Sequence, residues 1–179
     1  AEKYPDNRNI ILGYAYGLFN LSVEQKEIEE RKQTIILLKE LAENYPEEID
    51  IALEYAESLV YLSAEQQEVE EIQQTVYSLE QLAEKYADNL DIVLGYVKGL
   101  FNLSVAQKGK KEEKQTVYYL KKLAEKYADE PNIVLQYANS LFNLSNRQKI
   151  KEKKLIVKTL KELAEKYADE PNIVLQYAN

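Results

Sequence analysis

The chain has 179 residues, 45% apolar and 30% charged, with a formal charge of -8 and neither cysteine nor histidine. Those absences exclude disulfides, thiol nucleophiles, imidazole acid/base chemistry, and the zinc, haem and iron–sulfur sites that need either ligand. Five glycines and four prolines point away from a turn-rich β fold and toward long helices.

A fixed period organises the chain, because Leu21-Ser22, Leu62-Ser63, Leu103-Ser104 and Leu144-Ser145 recur every 41 residues. The first unit opens with an amphipathic stretch over residues 9–21, where Leu12, Ala15, Leu18 and Leu21 step by three and four residues. We label it helix A. Ser22-x-x-Gln25 follows, a capping-box pattern repeated at Ser63, Ser104 and Ser145. It predicts that a second helix, helix B, begins at these serines and ends near Tyr45, Tyr86, Tyr127 and Tyr167. On that reading helix B has about 22 residues and is roughly 33 Å long, against roughly 20 Å for helix A.

In the second unit Val69, Ile72, Val76, Leu79, Ala83 and Tyr86 line one face of helix B. In the third, the segment from Gly109 to Lys114 lacks apolar residues and places a glycine inside the predicted helix, at about 1 kcal/mol below alanine, so fraying is expected there. In the fourth, Pro131 suits a first helical turn, as does Pro171 in the closing half unit. Residues 163–179 repeat 123–139 without a change. Recent duplication and engineering both produce such identity.

The predicted architecture is all-α: a right-handed alpha-alpha superhelix of four helix-turn-helix repeats, 5–45, 46–86, 87–127 and 128–167, with a half repeat at 168–179, in one domain spanning 1–179. The half repeat still carries the interior pattern Ile173, Leu175, Tyr177, Ala178, as expected of a longer array or of end-to-end stacking.

Tyr14-Ala15-x-x-Leu18, followed by Leu38, Ala42 and Pro46, resembles the tetratricopeptide pattern, enlarged from ~34 residues. The seven extra residues fall at 22–33, and Ala87, Ala128 and Ala168 stand where Pro46 does. The resemblance implies a protein-interaction scaffold whose helix A residues line a concave groove. Helical solenoids of the HEAT type are a competing assignment.

Ten tyrosines occupy two repeat positions, Tyr4, Tyr45, Tyr86, Tyr127 and Tyr167 in one, Tyr14, Tyr55, Tyr96, Tyr137 and Tyr177 in the other. Repetition favours core or inter-repeat packing over stacking platforms. Gly13-x-x-x-Gly17 and Gly95-x-x-x-Gly99, with Ser58 and Ser140 at equivalent places, suggest close helix approach. Asn20, Asn102 and Asn143, with Tyr61 substituting, form a row before Leu-Ser that either grips an extended peptide or satisfies a local turn. Four residues earlier, on the same face, stand Tyr16, Glu57, Lys98 and Asn139, which differ most between repeats. These eight are the predicted partner-binding residues.

Charge is unevenly divided: residues 42–82 hold eleven acidic residues and no basic one, whereas 83–123 and 124–163 each hold eight basic and five acidic. Such blocks steer a partner of matching polarity or a second copy of the chain, unless they are merely drift on solvated faces. The net acidity and a pI near 4.8 argue against general nucleic-acid or anionic-membrane binding, with only a weak signal in the basic run Arg147 to Lys154. No apolar run approaches a membrane span, and no secretory signal is visible, so the expected location is cytoplasmic. No catalytic residue, metal site or cofactor is predicted, because carboxylate pairs such as Glu70-Glu71 diverge around a helix and no serine has a base to activate it. The functional expectation is a non-enzymatic scaffold for a peptide or protein; the alternative is a structural, self-associating array without a ligand.

Overall fold

The computed structural model describes residues 8–109 and 111–178, and all regular structure among them is α-helical. Tyr4 lies outside these residues. Among the described residues nine helices follow in order: α1 Arg8–Glu24, α2 Ile28–Asn44, α3 Ile49–Glu65, α4 Val69–Lys85, α5 Leu90–Gln107, α6 Lys111–Lys126, α7 Pro131–Ser145, α8 Ile150–Lys166 and α9 Pro171–Ala178. Odd-numbered helices are helix A of each repeat and even-numbered ones helix B.

The boundary between the two helices differs from the capping-box reading. Each serine lies inside helix A and turns its hydroxyl back to a carbonyl one turn earlier: Ser22 to Phe19 at 2.7 Å, and Ser63 to Val60, Ser104 to Phe101 and Ser145 to Phe142 at 2.8 Å. The glutamines do not return to the serines either. Gln25, Gln66 and Gln107 accept from the hydroxyls of Thr34, Thr75 and Thr116 at 2.9, 2.9 and 2.8 Å, locking the turn onto the following helix. Helix A therefore runs a turn longer and helix B starts several residues later, so α1 to α4 each have 17 residues and span about 25 Å. The hairpins are symmetric rather than lopsided. Acids in the first turns of helix B, such as Glu70 and Glu71 in α4, favour the exposed N–H groups electrostatically.

Packing divides the chain into two compact units, Ala1–Gly99 and Leu100–Asn179. In the first, α1 packs on α2 and α3, α2 on α3, and α3 on α4. Leu38, Ile51, Ala52, Ala56, Leu79 and Ile92 are fully enclosed in its core. In the second, α7 contacts α6, α8 and α9, and α8 contacts α9, around Leu120, Ile133, Val134, Tyr137 and Ala138. Helices in contact are thus one or two elements apart, the alpha-alpha solenoid arrangement in which each hairpin covers the apolar stripe of the next.

The repeated tyrosines serve this packing. Tyr55 and Tyr137 are buried, and burial pushes both phenols up, Tyr137 to about 12. Tyr86 donates to the Pro46 carbonyl at 2.9 Å and Tyr167 to that of Ala128 at 2.7 Å, each tying the end of helix B to the residue that opens the same repeat. Tyr14 and Tyr177, in the outermost helices described, are exposed.

Two glycine readings change. A Cβ at Gly99 would stand 2.6 Å from Leu79 Cδ1, so close approach holds there, but a Cβ at Gly13 or Gly17 would meet no neighbouring element within 4 Å. Gly109 is outside helix B, at φ +80 in the connection between α5 and α6, where lacking a side chain is an advantage. Past it, buried Glu113 takes the place of an apolar anchor, accepting from the Gly109 N–H and pairing with Arg147, both at 2.5 Å.

The charge blocks also have an internal use. Arg8 pairs with Glu48, Arg31 with Glu65 and Lys32 with Glu71, so cations of repeat one neutralise acids of repeat two. Lys32 is held above its usual range by hydrogen bonds to Glu29 and Glu71. Arg31 is almost fully buried; it donates to the Gln25 carbonyl at 2.6 Å, and its Nη1 lies 2.5 Å from Glu65 without the alignment of a hydrogen bond.

Candidate functional site

The predicted binding residues fall on helix A, whose two sides have different tasks. In α3, Ile51, Tyr55, Leu59 and Leu62 face the core, which leaves Glu57 and Tyr61 exposed. In α5, Ile92, Val93 and Val97 face inward and leave Asp91 and Lys98 exposed. Where the two helices run side by side, Ala56, Val60, Leu94 and Gly95 form the floor of a cavity of about 260 Å³, and Glu57, Tyr61, Asp91 and Lys98 form its polar rim. Three of the eight predicted residues, from two successive repeats, thus meet in one site.

Its electrostatics are set by charges left unpaired. Glu48, Glu65 and Glu71 of repeat two are engaged by cations of repeat one, whereas Glu57, Asp91 and Lys98 have no ion-pair partner among the described residues. One turn from Glu57, the buried carboxyl of Glu54 is pushed up to about 7, first by burial and then by the charges of Glu57 and Asp50. Its Oε2 has no hydrogen-bond partner. The rim combines a carboxylate pair, an ammonium and a phenol over an apolar floor, an arrangement suited to holding a polar side chain of a ligand and its aliphatic stem.

The remaining predictions are placed less tightly. Tyr16 and Asn20 are exposed on α1, outside the cavity. Phe19, beside Asn20, packs against Tyr61 with ring centroids 6.1 Å apart at 56°. In the second unit Asn102 on α5 and Asn139 and Asn143 on α7 are half-buried. Because helix A continues to Glu24 and Gln107, Asn20 and Asn102 stand a turn inside their helices rather than at a helix end. Sequence reasoning missed Asp91 and Phe19. Both carry a detectable signal: Asn9, Asp50, Asp91, Asn132 and Asn172 share one repeat position, and Phe19, Phe101 and Phe142 share another.

Among the described residues no helix is long and apolar enough to cross a membrane, and no cluster of acidic residues is placed to hold a metal ion. No protein family, curated protein or solved structure matches the chain. What the fold defines is an all-α protein of consecutively packed helical hairpins, of the alpha-alpha solenoid class.

Proposed function

We propose that this chain is a non-enzymatic, tetratricopeptide-like scaffold that binds a peptide or partner protein along the exposed side of helix A. The observation that carries the reading is the cavity between α3 and α5, where Glu57, Tyr61 and Lys98 converge on an apolar floor. Hydrogen-bonding amides on the same helix face, Asn20 in α1 and Asn102 in α5, extend the surface that each helix offers. Selecting peptides from a random displayed library on the full chain, then measuring them against Glu57→Arg/Lys98→Glu, tests it. The expected result is a loss of at least tenfold in affinity. Selected peptides that bind both proteins equally would end the proposal.

One observation favours a structural, self-associating array instead: Ile150, Leu155 and Val157 of α8 are exposed beside Lys151, Lys153 and Lys154, which have no ion-pair partner among the described residues. That reading expects mass by light scattering to rise with concentration and to fall with salt; a monomer throughout contradicts it.

A further inference from the structure

The cavity between α3 and α5 opens at a repeat position whose side chain varies in length. Gly13, Glu54, Gly95 and Gln136 are equivalent there. Glu54 is only 9% exposed and Gln136 is half-buried, so at this position the fold encloses a long side chain. Gly95 brings none. A Cβ on it would make ordinary contacts alone, 3.7 Å from Ala56 Cβ and Val60 Cγ2 and 3.8 Å from Leu79 Cδ2. The missing side chain leaves about 260 Å³ open above Ala56, Val60 and Leu94. Small-molecule sites span about 300–1,000 Å³, so this space suits one side chain of a guest.

The sign of the guest follows from the rim. Two carboxylates, Glu57 and Asp91, stand there against one ammonium, Lys98, and none of the three has an ion-pair partner among the described residues. The surroundings add to the acidity, because residues 42–82 hold eleven acids and no base. Cations from repeat one serve Glu48, Asp50, Glu65 and Glu71 in that stretch, but not Glu57. Lys98 follows Asp91 by seven residues on α5, about 10.5 Å along the helix axis and more than the Debye length of about 8 Å at physiological salt. A cation held at Asp91 can therefore stand clear of Lys98.

We propose that this cavity takes an arginine side chain of a partner peptide, its stem lying on Val60 and Leu94 and its guanidinium between Glu57 and Asp91. Arginine lays its methylenes on apolar surface while the head stays at the polar edge, and the planar fork can donate to two carboxylates at once. Lys98, on the same rim, disfavours a second cation beside the first. The inference rests on the helix A reading and names the group that reading leaves open.

Magnetic resonance titration of the isotope-labelled full chain with the blocked peptide acetyl-Gly-Ala-Arg-Ala-Gly-amide tests it, beside versions carrying citrulline or glutamate for arginine. The arginine peptide should shift amides at 56–61 and 91–98 saturably in the millimolar range. Citrulline, which keeps the shape and loses the charge, should bind at least tenfold more weakly, and glutamate weaker still. Glu57→Gln/Asp91→Asn, both on exposed positions, should bring arginine down to the citrulline level, whereas Lys98→Gln should leave its affinity unchanged or raised. Gly95→Gln, which restores the side chain that Gln136 has at this repeat position, should fill the cavity and weaken the arginine peptide at least tenfold. Equal binding of arginine and citrulline, a preference for glutamate, dependence on Lys98 in place of the two carboxylates, or no saturation at millimolar peptide overturns the inference. Binding that is lost in Gly95→Gln yet indifferent to ligand charge overturns it and leaves the helix A reading standing; binding that survives Gly95→Gln contradicts both.

Discussion

Helices α2 and α8 are the same repeat element with different neighbours. In α2, Arg31, Thr34, Ile35, Leu38, Leu41 and Ala42 are buried; in α8 only Leu160 and Ala164 are. Sequence alone does not account for the contrast, since Val157 is as apolar as its buried counterpart Val117. What differs is the helix laid across it: 17 residues of α3 on α2, eight of α9 on α8. Burial in this architecture is conferred by the adjacent repeat, so one side chain can be core in one unit and surface in the other.

The largest break in that comparison should come from charge at its matched position. Arg31→Glu places an anion against Glu65 and the Gln25 carbonyl and should cost about 3–5 kcal/mol in chemical denaturation, while Lys153→Glu, on an exposed position, should stay within about 0.5 kcal/mol. Adding Glu65→Arg to Arg31→Glu should recover at least half the loss, as the reversed pair Glu113 and Arg147 already exists.

A smaller effect separates Glu54 from its counterpart Gln136. Folding raises the Glu54 carboxyl from its ordinary 4.5 to about 7, so between those values the folded chain keeps a proton that the unfolded chain has released. Its contribution to stability is greatest below pH 4.5 and is lost as pH rises through about 7. Glu54→Gln should flatten that slope and raise stability at pH 8 by about 1–3 kcal/mol; an unchanged pH profile of thermal unfolding would contradict the assignment.

The smallest concerns the turn between helices. Thr75→Val removes the hydroxyl that buried Gln66 accepts from at 2.9 Å and should cost about 1–2 kcal/mol. Repeat four has Ile156 at this position and should be insensitive to Ile156→Val beyond about 1 kcal/mol.

Much of the fold was legible because the period is long and the apolar steps regular: helical class, the hairpin repeat, helix B ending at Tyr45, Tyr86 and Tyr167, and prolines opening α7 and α9. The start of helix B was misplaced because Ser-x-x-Gln satisfies two geometries. A serine that caps forward and one that bonds back to the previous turn have the same spacing, and only Thr34, nine residues beyond Gln25, distinguishes them. The site was half legible. Glu57, Tyr61 and Lys98 stood out by varying between repeats, but Asp91 repeats a polar position and so carried no contrast. The exchange of Arg31 and Glu65 for Glu113 and Arg147 was hidden because the partners are 34 residues apart, which is not a multiple of the repeat.

Native-state hydrogen exchange across α2 and α8 tests most directly whether the neighbour confers protection. Amides at 31–38 in α2 should exchange only through opening of the whole unit, whereas those at 153–160 in α8 should exchange at least tenfold faster under the same conditions. Equal protection of the two segments would contradict the account.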